Sequence, residues 1–279
     1  MSERIGFMQG RFSPLVDGRI QAFPWDCWQA EFPSAETNGF GLMEWTLDQE
    51  LLYNNPLLTG AGQAEIRDLR QKHKVRIASL TGDCFMQSPF WKAEGKVGEK
   101  LQEDFRSVAR ACAAVGIALM VLPLVDNGSL TTRAQEDLLV SVLQRHAPLL
   151  AELGVQVVFE SDFAPAELAR FIDRLDPALF GVNYDIGNSA SLGMPPRQEI
   201  SAYGHRIVNV HIKDRVLGGT TVPLGTGNAD FKTVFEELAR VKYRGNYILQ
   251  TARAQDGDHA GALCRYRDMA ADWIKRHGA

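Results

Sequence analysis

The sequence lacks the features that mark secreted, membrane-embedded and nucleic-acid-binding proteins. Its four cysteines form no CxxC pair, which indicates reduced thiols in a cytoplasmic protein and neither a disulfide framework nor a zinc knuckle. No apolar run approaches the roughly 20 residues that a membrane span needs. The N-terminal MSERIGFMQGRF has no apolar core typical of a secretory signal. A net charge of −4 and a pI of about 5.9 argue against a general nucleic-acid binder, although a local basic patch stays open.

The remaining composition is ordinary for a soluble enzyme, with 45% hydrophobic residues, 23% charged residues and a mean hydropathy of −0.17. A chain of 279 residues can form one α/β-barrel-sized domain or two smaller ones. No linker or low-complexity stretch divides it. The first strand–helix turn has no GxGxxG motif, which argues against a doubly wound nucleotide-binding sheet. We therefore expect a single domain over residues 1–279.

Short apolar runs alternate with amphipathic segments along the whole chain. Helices are predicted for residues 98–115 and 131–153, with Thr131 and Thr132 placed as N-caps and Gly154 placed to end the second helix. Nearly continuous apolar strands are typical of parallel sheets covered by helices, and eight strand–helix units in about 250 residues predict an α/β fold of the (β/α)₈ TIM-barrel type. The predicted strands are residues 5–8, 42–45, 76–80, 119–122, 155–159, 181–184, 207–212 and 247–249.

Side chains of metal-binding type stand at consecutive strand ends. The fifth, sixth and seventh runs end near Glu160, Asp185 and His211, which lie 25 and 26 residues apart, and the eighth ends on Gln250. Active residues of TIM barrels cluster at the carboxyl ends of strands, and parallel neighbours are about 4.8 Å apart. This set of oxygen and nitrogen donors suits one divalent ion: Mn²⁺, Mg²⁺ or Co²⁺, with Zn²⁺ possible. Taken singly, each side chain could instead cap a helix or order a loop.

These residues stand in segments that resemble the xylose-isomerase-like TIM barrels. That family of sugar phosphate isomerases and epimerases includes ketose 3-epimerases, hexulose-phosphate epimerases and, more distantly, endonuclease IV. The resemblance runs through IGFMQGRFSP, GLMEW, VFESD, NYDIGNSASLG, VNVHIKDR and VPLGTGNADF. It implies a metal held by Glu160, Asp185, His211 and position 250, a small sugar or sugar-phosphate substrate, and a homodimer or homotetramer.

The chain departs from the family pattern at two positions. Gln250 replaces the second metal-binding glutamate, which often also acts as a base, and Asn188 stands where epimerases typically have a histidine. Of the six histidines only His211 falls at a strand end, whereas the zinc cluster of endonuclease IV needs several. We therefore expect no nucleic-acid substrate.

The resemblance implies a reaction in which a metal chelates a carbonyl and the adjacent hydroxyl of a sugar and stabilises an enediolate. Glu160 is the first choice for the catalytic base, and Glu44 and Asp83 are candidates that do not bind the metal. Lys213 could act as a substitute base, contact substrate, or pair with Asp185 or Glu160. Because an amide cannot remove a proton, Gln250 favours single-base aldose–ketose isomerisation, while epimerisation stays open.

Several other residues are candidates for substrate binding. Two glycine-containing segments, Gly10-Arg11 and the loop with Gly225 and Gly227, could approach a phosphate with backbone N–H groups, although such segments are equally typical of plain turns. Arg253 could instead orient a site carboxylate. The candidate substrate-binding residues are Arg11, Asn188, Arg215 and Arg253.

Two other classes of function remain compatible with the same barrel. A metal-dependent hydrolase or lyase, such as a dehydratase or phosphoesterase, could use the same ligands to activate water. A non-catalytic sugar-binding barrel would have lost the fourth ligand, but the other three ligands and the charged end of the seventh strand argue against it. The identity of the sugar and its phosphorylation are not evident from the sequence.

Overall fold

The computed structural model describes residues 2–278 and contains a closed barrel of parallel strands. Eight strands form the barrel in the order β1-β10-β7-β6-β5-β4-β3-β2, and β8 and β9 pair as a short antiparallel hairpin after β7. The (β/α)₈ prediction is confirmed. The strands are β1 (Ile5–Met8), β2 (Leu42–Thr46), β3 (Arg76–Thr81), β4 (Leu119–Leu124), β5 (Gln156–Ser161), β6 (Phe180–Asp185), β7 (Ile207–Ile212), β8 (Asp214–Arg215), β9 (Thr221–Val222) and β10 (Asn246–Leu249).

Helices follow the strands and cover the outside of the barrel. They are α1 (Glu31–Thr37), α2 (Gly60–His73), α3 (Asp83–Gln87), α4 (Gly95–Ala114), α5 (Arg133–Leu153), α6 (Pro165–Ile172), α7 (Ile186–Ser191), α8 (Pro196–Tyr203), α9 (Phe231–Arg240) and α10 (His259–His277). Short 3₁₀ helices in the connections are Ser2–Arg4, Trp28–Ala30, Leu52–Asn54, Pro56–Leu58, Phe90–Lys92, Asp126–Gly128 and Gly204–Arg206.

The ends of α5 show how local sequence sets the helix boundaries. The side chain of Thr132 accepts the backbone N–H of Gln135 at 3.2 Å and caps the first turn. Gly154 ends the helix with a φ of 64°, which a residue without Cβ adopts easily. In contrast, α4 begins at Gly95, three residues before the predicted start. Its polar first turn carries none of the apolar spacing on which the prediction depended.

The inside of the barrel contains both apolar and polar side chains. Leu42 and Glu44 lie two residues apart in β2 and therefore share one face of the strand. Leu42 belongs to a small buried cluster that is separate from the main core and contains Met8, Leu42, Ala78 and Ile248. The buried polar residues Glu44, Ser79, Asn183, Asn209 and His211 lie beside this cluster, because Met8 pairs in register with Glu44 and Ile248 pairs with His211.

Within residues 2–278, no helix combines the length and the apolar character needed to cross a membrane. Each of the four cysteines is a free thiol, and Cys84 and Cys112 are buried.

A buried carboxylate ties α5 to the segment around α6. Glu136 accepts two hydrogen bonds from Arg170, at 2.7 and 2.8 Å, and one from Arg174 at 2.5 Å. Its side chain is only 4% exposed. The hydrogen bonds from Arg170 lower the pKa of Glu136 to about 2 against the opposing effect of burial. This two-point pairing on a shielded carboxylate stabilises more than an ordinary surface ion pair.

We expect Glu136→Gln to lower the free energy of unfolding by about 2 kcal/mol near neutral pH, because the charged acceptor of four hydrogen bonds, the fourth from Arg133, is lost. A lowered carboxyl pKa stabilises the fold above the unfolded pKa, and that contribution disappears as pH falls through the folded pKa. The difference between wild type and variant should therefore shrink from about pH 4.5 towards pH 2. Urea unfolding measured across this range checks the prediction.

Asp272→Asn is a suitable control, since Asp272 forms an exposed ion pair with Arg276 inside α10. This variant should unfold almost like the wild type. A pH-independent difference between Glu136→Gln and wild type would contradict the electrostatic explanation.

Candidate metal centre

Three potential ligands from neighbouring strands meet at one rim of the barrel. Glu160 lies in β5, Asp185 ends β6 and His211 lies in β7. Asp185 and His211 are paired directly across the two strands. One potential ligand atom from each of the three residues lies within 4.8 Å of the other two, and all three residues are buried. The three strand ends therefore converge on one small volume.

His211 faces carboxylates with both ring nitrogens. Its Nδ1 lies 3.2 Å from Oε2 of Glu160 and 3.8 Å from Oδ2 of Asp185. On the other side of the ring, Nε2 lies 2.7 Å from Oε1 of Glu44. Metal-binding histidines usually have a carboxylate or carbonyl beside the second nitrogen, and Glu44 takes that place here as a close ion-pair contact without hydrogen-bond geometry. Nδ1 is therefore the nitrogen directed at the space shared by Glu160 and Asp185.

Glu44 does not occupy the position expected for a catalytic base. It is fully buried, and its Oε2 accepts hydrogen bonds from Ser79 Oγ at 2.6 Å and from Asn209 Nδ2 at 3.1 Å. Its other oxygen faces His211. Protein groups thus lie against both oxygens of this carboxylate. Glu44 instead positions the imidazole.

The cluster balances its buried charges internally. Burial alone would lower the pKa of His211, but Glu44, Asp185 and Glu160 together raise it well above its usual value. Burial would likewise raise the pKa of Asp185, yet Lys213 and His211 hold it well below its usual range. Nζ of Lys213 lies 2.8 Å from Oδ2 of Asp185. Of the partners expected for Lys213, the structure thus contains the one with Asp185.

Two asparagines hold the carboxylate of Glu160. Asn183 Nδ2 donates to its Oε2 at 3.2 Å, and Asn188 Nδ2 donates to its Oε1. Asn183 in turn accepts a hydrogen bond from Asn209 at 2.8 Å. Asn183 and Asn209 were absent from the sequence-based candidates. A signal existed, because each stands two residues before a candidate ligand in the same strand and therefore shares its face.

Gln250 follows β10, and hydrogen bonds connect its side-chain amide to Gln21 and then to Asp83. Its Nε2 donates to Oε1 of Gln21 at 2.8 Å, and Nε2 of Gln21 donates to Oδ2 of Asp83 at 2.6 Å. When Asp83 is ionised it can only accept a hydrogen bond, so in that state this chain orients both amides and leaves Gln250 Oε1 at the free end. That oxygen is buried and has no hydrogen-bond donor within residues 2–278. Nothing in the sequence marks Gln21 for this role.

Asp83 lies at the start of α3, directly after β3, and is buried. Burial raises its pKa to about 7, the hydrogen bond from Gln21 opposes the rise, and the nearby Asp48 and Glu160 add to it. A carboxyl group that titrates near neutral pH can both accept and donate a proton under ordinary conditions.

Asn188 connects the cluster to an adjacent cavity. While its Nδ2 donates to Glu160, its Oδ1 accepts hydrogen bonds from Arg215 Nη1 at 2.8 Å and Lys213 Nζ at 3.2 Å. The cavity has a volume of about 240 Å³ and is lined by Val125, Asp126, Asp162, Asn188, Ser191, Leu192, Arg215 and Gly218. Neither this cavity nor a larger one of about 560 Å³, which is lined in part by Leu52 and Leu101, has a proposed ligand in its lining, but only the smaller one includes Asn188, which bonds to Glu160. The smaller cavity is therefore the candidate substrate pocket.

Arg11 and Arg253 do not take the places expected for substrate contacts. Arg11 is 3% exposed and donates to the carbonyl of Ile20 at 2.9 Å. Burial and, to a smaller degree, Arg253 lower the pKa of Arg11 to about 9. Arg253 donates to the carbonyl oxygens of Gly10 and Pro14. Both guanidinium groups brace the loop after β1.

The fold and this donor set together define the class of the protein. Two carboxylates and an imidazole nitrogen, with a buried amide oxygen on the next strand, fit a divalent ion of the Mg²⁺, Mn²⁺, Co²⁺ or Zn²⁺ type. The protein is a TIM barrel with a candidate divalent-metal centre at the carboxyl ends of its strands. More specifically, the chain belongs to the xylose isomerase-like TIM barrel family, whose model matches residues 32–276. The resemblance inferred from the sequence is confirmed.

Relatives of known function include enzymes of two reaction types. The L-ribulose-5-phosphate 3-epimerase UlaE of Shigella flexneri serotype 5b is 23% identical over 262 residues, covering 90% of this chain and 89% of that protein. The inosose dehydratase of Geobacillus thermodenitrificans is 28% identical over 155 residues, covering 47% of this chain and 52% of that protein. The match to the dehydratase thus spans about half of its length.

Solved structures share the whole architecture. D-allulose 3-epimerase from Methylomonas sp. superposes with a TM-score of 0.75 at 18% identity and covers 97% of both chains. The IolI protein, solved with a bound zinc atom, has a TM-score of 0.74 at 14% identity and covers 98% of this chain and 99% of its own. At these identities the similarity concerns the fold.

We expect Asp185→Asn to weaken Mn²⁺ binding by more than the about 10- to 100-fold typical of changing a group that only orients a ligand. The variant removes one of two carboxylates while keeping an oxygen that can accept the backbone N–H of Asn188 and cap α7. Isothermal titration of metal-stripped protein with Mn²⁺ measures the change.

Asp104→Asn is the matched control. Asp104 is also buried and paired with a lysine, Lys100, but it lies in α4 away from the strand ends. It should leave Mn²⁺ affinity unchanged. Equal affinities of Asp185→Asn and wild type would contradict the assignment of the site.

Proposed function

We propose that this protein is a divalent-metal-dependent isomerase or epimerase of a sugar or sugar phosphate. The buried cluster of Glu160, Asp185 and His211 at the carboxyl ends of β5, β6 and β7 carries the proposal. The ribulose-phosphate epimerase and the allulose epimerase described above support it, because both names denote sugar epimerases and both proteins match nearly the whole chain.

In this proposal Glu160, Asp185 and His211 hold the cation, and Gln250 contributes its amide oxygen. When bound, the cation would polarise the carbonyl and adjacent hydroxyl of a sugar and stabilise the negative charge of an enediolate. Two carboxylates balance the charge of a divalent ion, and Gln250 adds a donor without adding charge. Glu44 keeps Nδ1 of His211 directed at the site.

Glu160 is the group that we assign to proton transfer at the substrate carbon. Asn183 and Asn188 hold one carboxylate oxygen each and so give Glu160 a defined direction. A carboxylate near a cation is a weaker base because its pKa falls. The role therefore requires that Glu160 be the most loosely held of the ligands.

Gln250 separates this chain from an epimerase with two glutamate bases. An epimerase needs proton-transfer groups on both faces of the enediolate, and an amide cannot provide one. Aldose–ketose isomerisation needs a single base and is the reaction that we favour. If the protein is an epimerase, Asp83 is the candidate second base because its pKa is raised to about 7. Lys213 is less suited, since it is paired with Asp185.

Dehydration is the second candidate reaction, and the match to inosose dehydratase favours it. Removal of a proton next to a ketone is common to isomerisation and dehydration, and a dehydratase then expels a hydroxyl from the neighbouring carbon as water. A phosphoesterase has less support. Only one group of three acidic or histidine ligands occurs within residues 2–278, whereas phosphatases of this chemistry commonly use two metal ions.

In D₂O, the metal-loaded protein should introduce deuterium next to the carbonyl of a ketose or ketose phosphate that it accepts. Glu160→Gln should slow this exchange by about 100- to 10,000-fold, the usual contribution of a positioned base. Proton NMR of the recovered sugar measures both rates. Exchange that survives Glu160→Gln unchanged would contradict the assignment, and an unsaturated ketone product would identify a dehydratase.

Gln250→Glu should bind Mn²⁺ more tightly, because it adds a third anionic oxygen, and should raise 3-epimerase turnover relative to isomerisation. Gln250→Met, which has similar length and no strong ligand atom, should instead weaken Mn²⁺ binding. Titration calorimetry and product analysis with a set of ketoses measure the two effects. A Gln250→Met variant with wild-type Mn²⁺ affinity would remove Gln250 from the ligand set.

A further inference from the structure

We propose that the site takes an unphosphorylated polyhydroxy ketone or aldehyde and discriminates against its phosphate ester. The inference rests on the proposed sugar function and narrows its substrate class. One pattern carries it: the groups at the rim that would bind phosphate are bonded to other parts of the chain. The adjacent cavity, in addition, is lined by carboxylates.

The first predicted phosphate contact, the loop after β1, encloses a carboxylate from α1. The backbone N–H of Gly10 donates to Oε2 of Glu31 at 2.7 Å. The N–H of Phe12 and the hydroxyl of Ser13 donate to Oε1 at 3.0 and 2.8 Å. Glu31 is 1% exposed, so it fills this group of donors completely. A phosphate would have to displace a buried charge that already satisfies them.

The second predicted contact, the glycine-containing loop after β9, encloses Asp214 in the same manner. Oδ2 of Asp214 accepts the N–H groups of Gly225 and Gly227, both at 2.9 Å. Oδ1 accepts the N–H of Ala229 at 3.1 Å. A Cβ added to Gly227 would lie 2.3 Å from Asp214 Oδ1, which shows how closely the loop fits this carboxylate. Both sets of backbone donors therefore serve the fold.

The cationic side chains are engaged in a similar way. Arg215 is the cation that lines the cavity, and its Nε and Nη2 donate to the carbonyl of Gly219 at 3.0 and 2.7 Å. Its Nη1 donates to Asn188. Arg11 and Arg253 bond to backbone carbonyls, as described above. Three of the five N–H donors of Arg215, among them the Nε–Nη2 pair, are therefore bonded to the chain, which leaves one donor on each terminal nitrogen for a ligand.

The lining of the cavity favours hydroxyl groups over phosphate. Two acidic residues, Asp126 and Asp162, and one cation, Arg215, are among the residues that line it. One carboxylate oxygen of Asp162 already accepts a hydrogen bond from the hydroxyl of Ser129. A sugar hydroxyl can donate a hydrogen bond to a carboxylate, whereas a phosphate ester carries a charge of about −1.5 to −2 at pH 7 and adds repulsion. Asn188 lines the same cavity and bonds to Glu160, so a molecule in the cavity lies beside the proposed base.

The test compares ketoses with their own esters on the full-length, Mg²⁺-loaded protein. D-allulose, D-fructose and their 6-phosphates are the probes, and titration calorimetry gives each dissociation constant. We expect at least one free ketose to bind and its ester to bind at least tenfold more weakly. An ester that binds as tightly as its ketose overturns this inference and leaves the proposed function standing. If neither ketose binds, this inference is overturned, and the deuterium-exchange experiment decides the proposed function separately.

A variant tests the cause of the discrimination. Asp126→Asn combined with Asp162→Asn removes two negative charges but keeps acceptor oxygens, and asparagine tolerates the φ of 50° at position 126. The ratio of ester to ketose dissociation constants should fall at least threefold. Asp104→Asn, remote from the cavity, should leave the ratio unchanged. An unchanged ratio in a folded double variant would overturn the inference.

Discussion

The contact between His211 and Glu44 is the interaction on which the rest of the site depends. The two residues come from β7 and β2, which are not neighbouring strands, and they meet inside the barrel. The contact places Nε2 of His211 beside Glu44, while Nδ1 faces Glu160 and Asp185. It also gives the buried imidazole a carboxylate partner on the side away from the metal centre. A buried charge without a partner would lower the free energy of unfolding, so this one contact contributes both to the geometry of the site and to the stability of the fold.

Buried carboxylates organise the rim of the barrel as well as its interior. Glu31 accepts backbone N–H groups of the loop after β1, and Asp214 accepts those of the loop after β9. Glu199 accepts hydrogen bonds from the hydroxyls of Tyr184, Ser189 and Tyr203. Burial raises the pKa of Glu199, and its three hydroxyl donors oppose the rise. Through Ser189, Glu199 also steadies α7, which carries Asn188. The rim that carries the candidate site is thus ordered by buried carboxyl groups of the chain itself.

The strands were predictable because each is marked by a run of adjacent apolar residues, and every predicted strand lies within two residues of an observed one at either end. The three side chains at the ends of β5, β6 and β7 were predictable for the same reason. The residues that surround these three side chains were less predictable. Asn183 and Asn209 could have been predicted from the two-residue period of a strand. Glu44, Arg11 and Arg253 have the charged groups expected of a site and lie near strand ends, but Glu44 faces the barrel interior and the two arginines bond to a loop.

The order of residues along the chain thus determines the number of strands, the edge at which their polar ends gather and the chemical type of the site, because these follow from local periodicity. The partner of each polar side chain was decided only when the barrel closed. Closure brings β2 opposite β7 and sets Gln21 between Asp83 and Gln250, and hydrogen-bond polarity then leaves one amide oxygen free. Such pairings depend on three-dimensional proximity and on which atom donates, and neither is written in a local pattern.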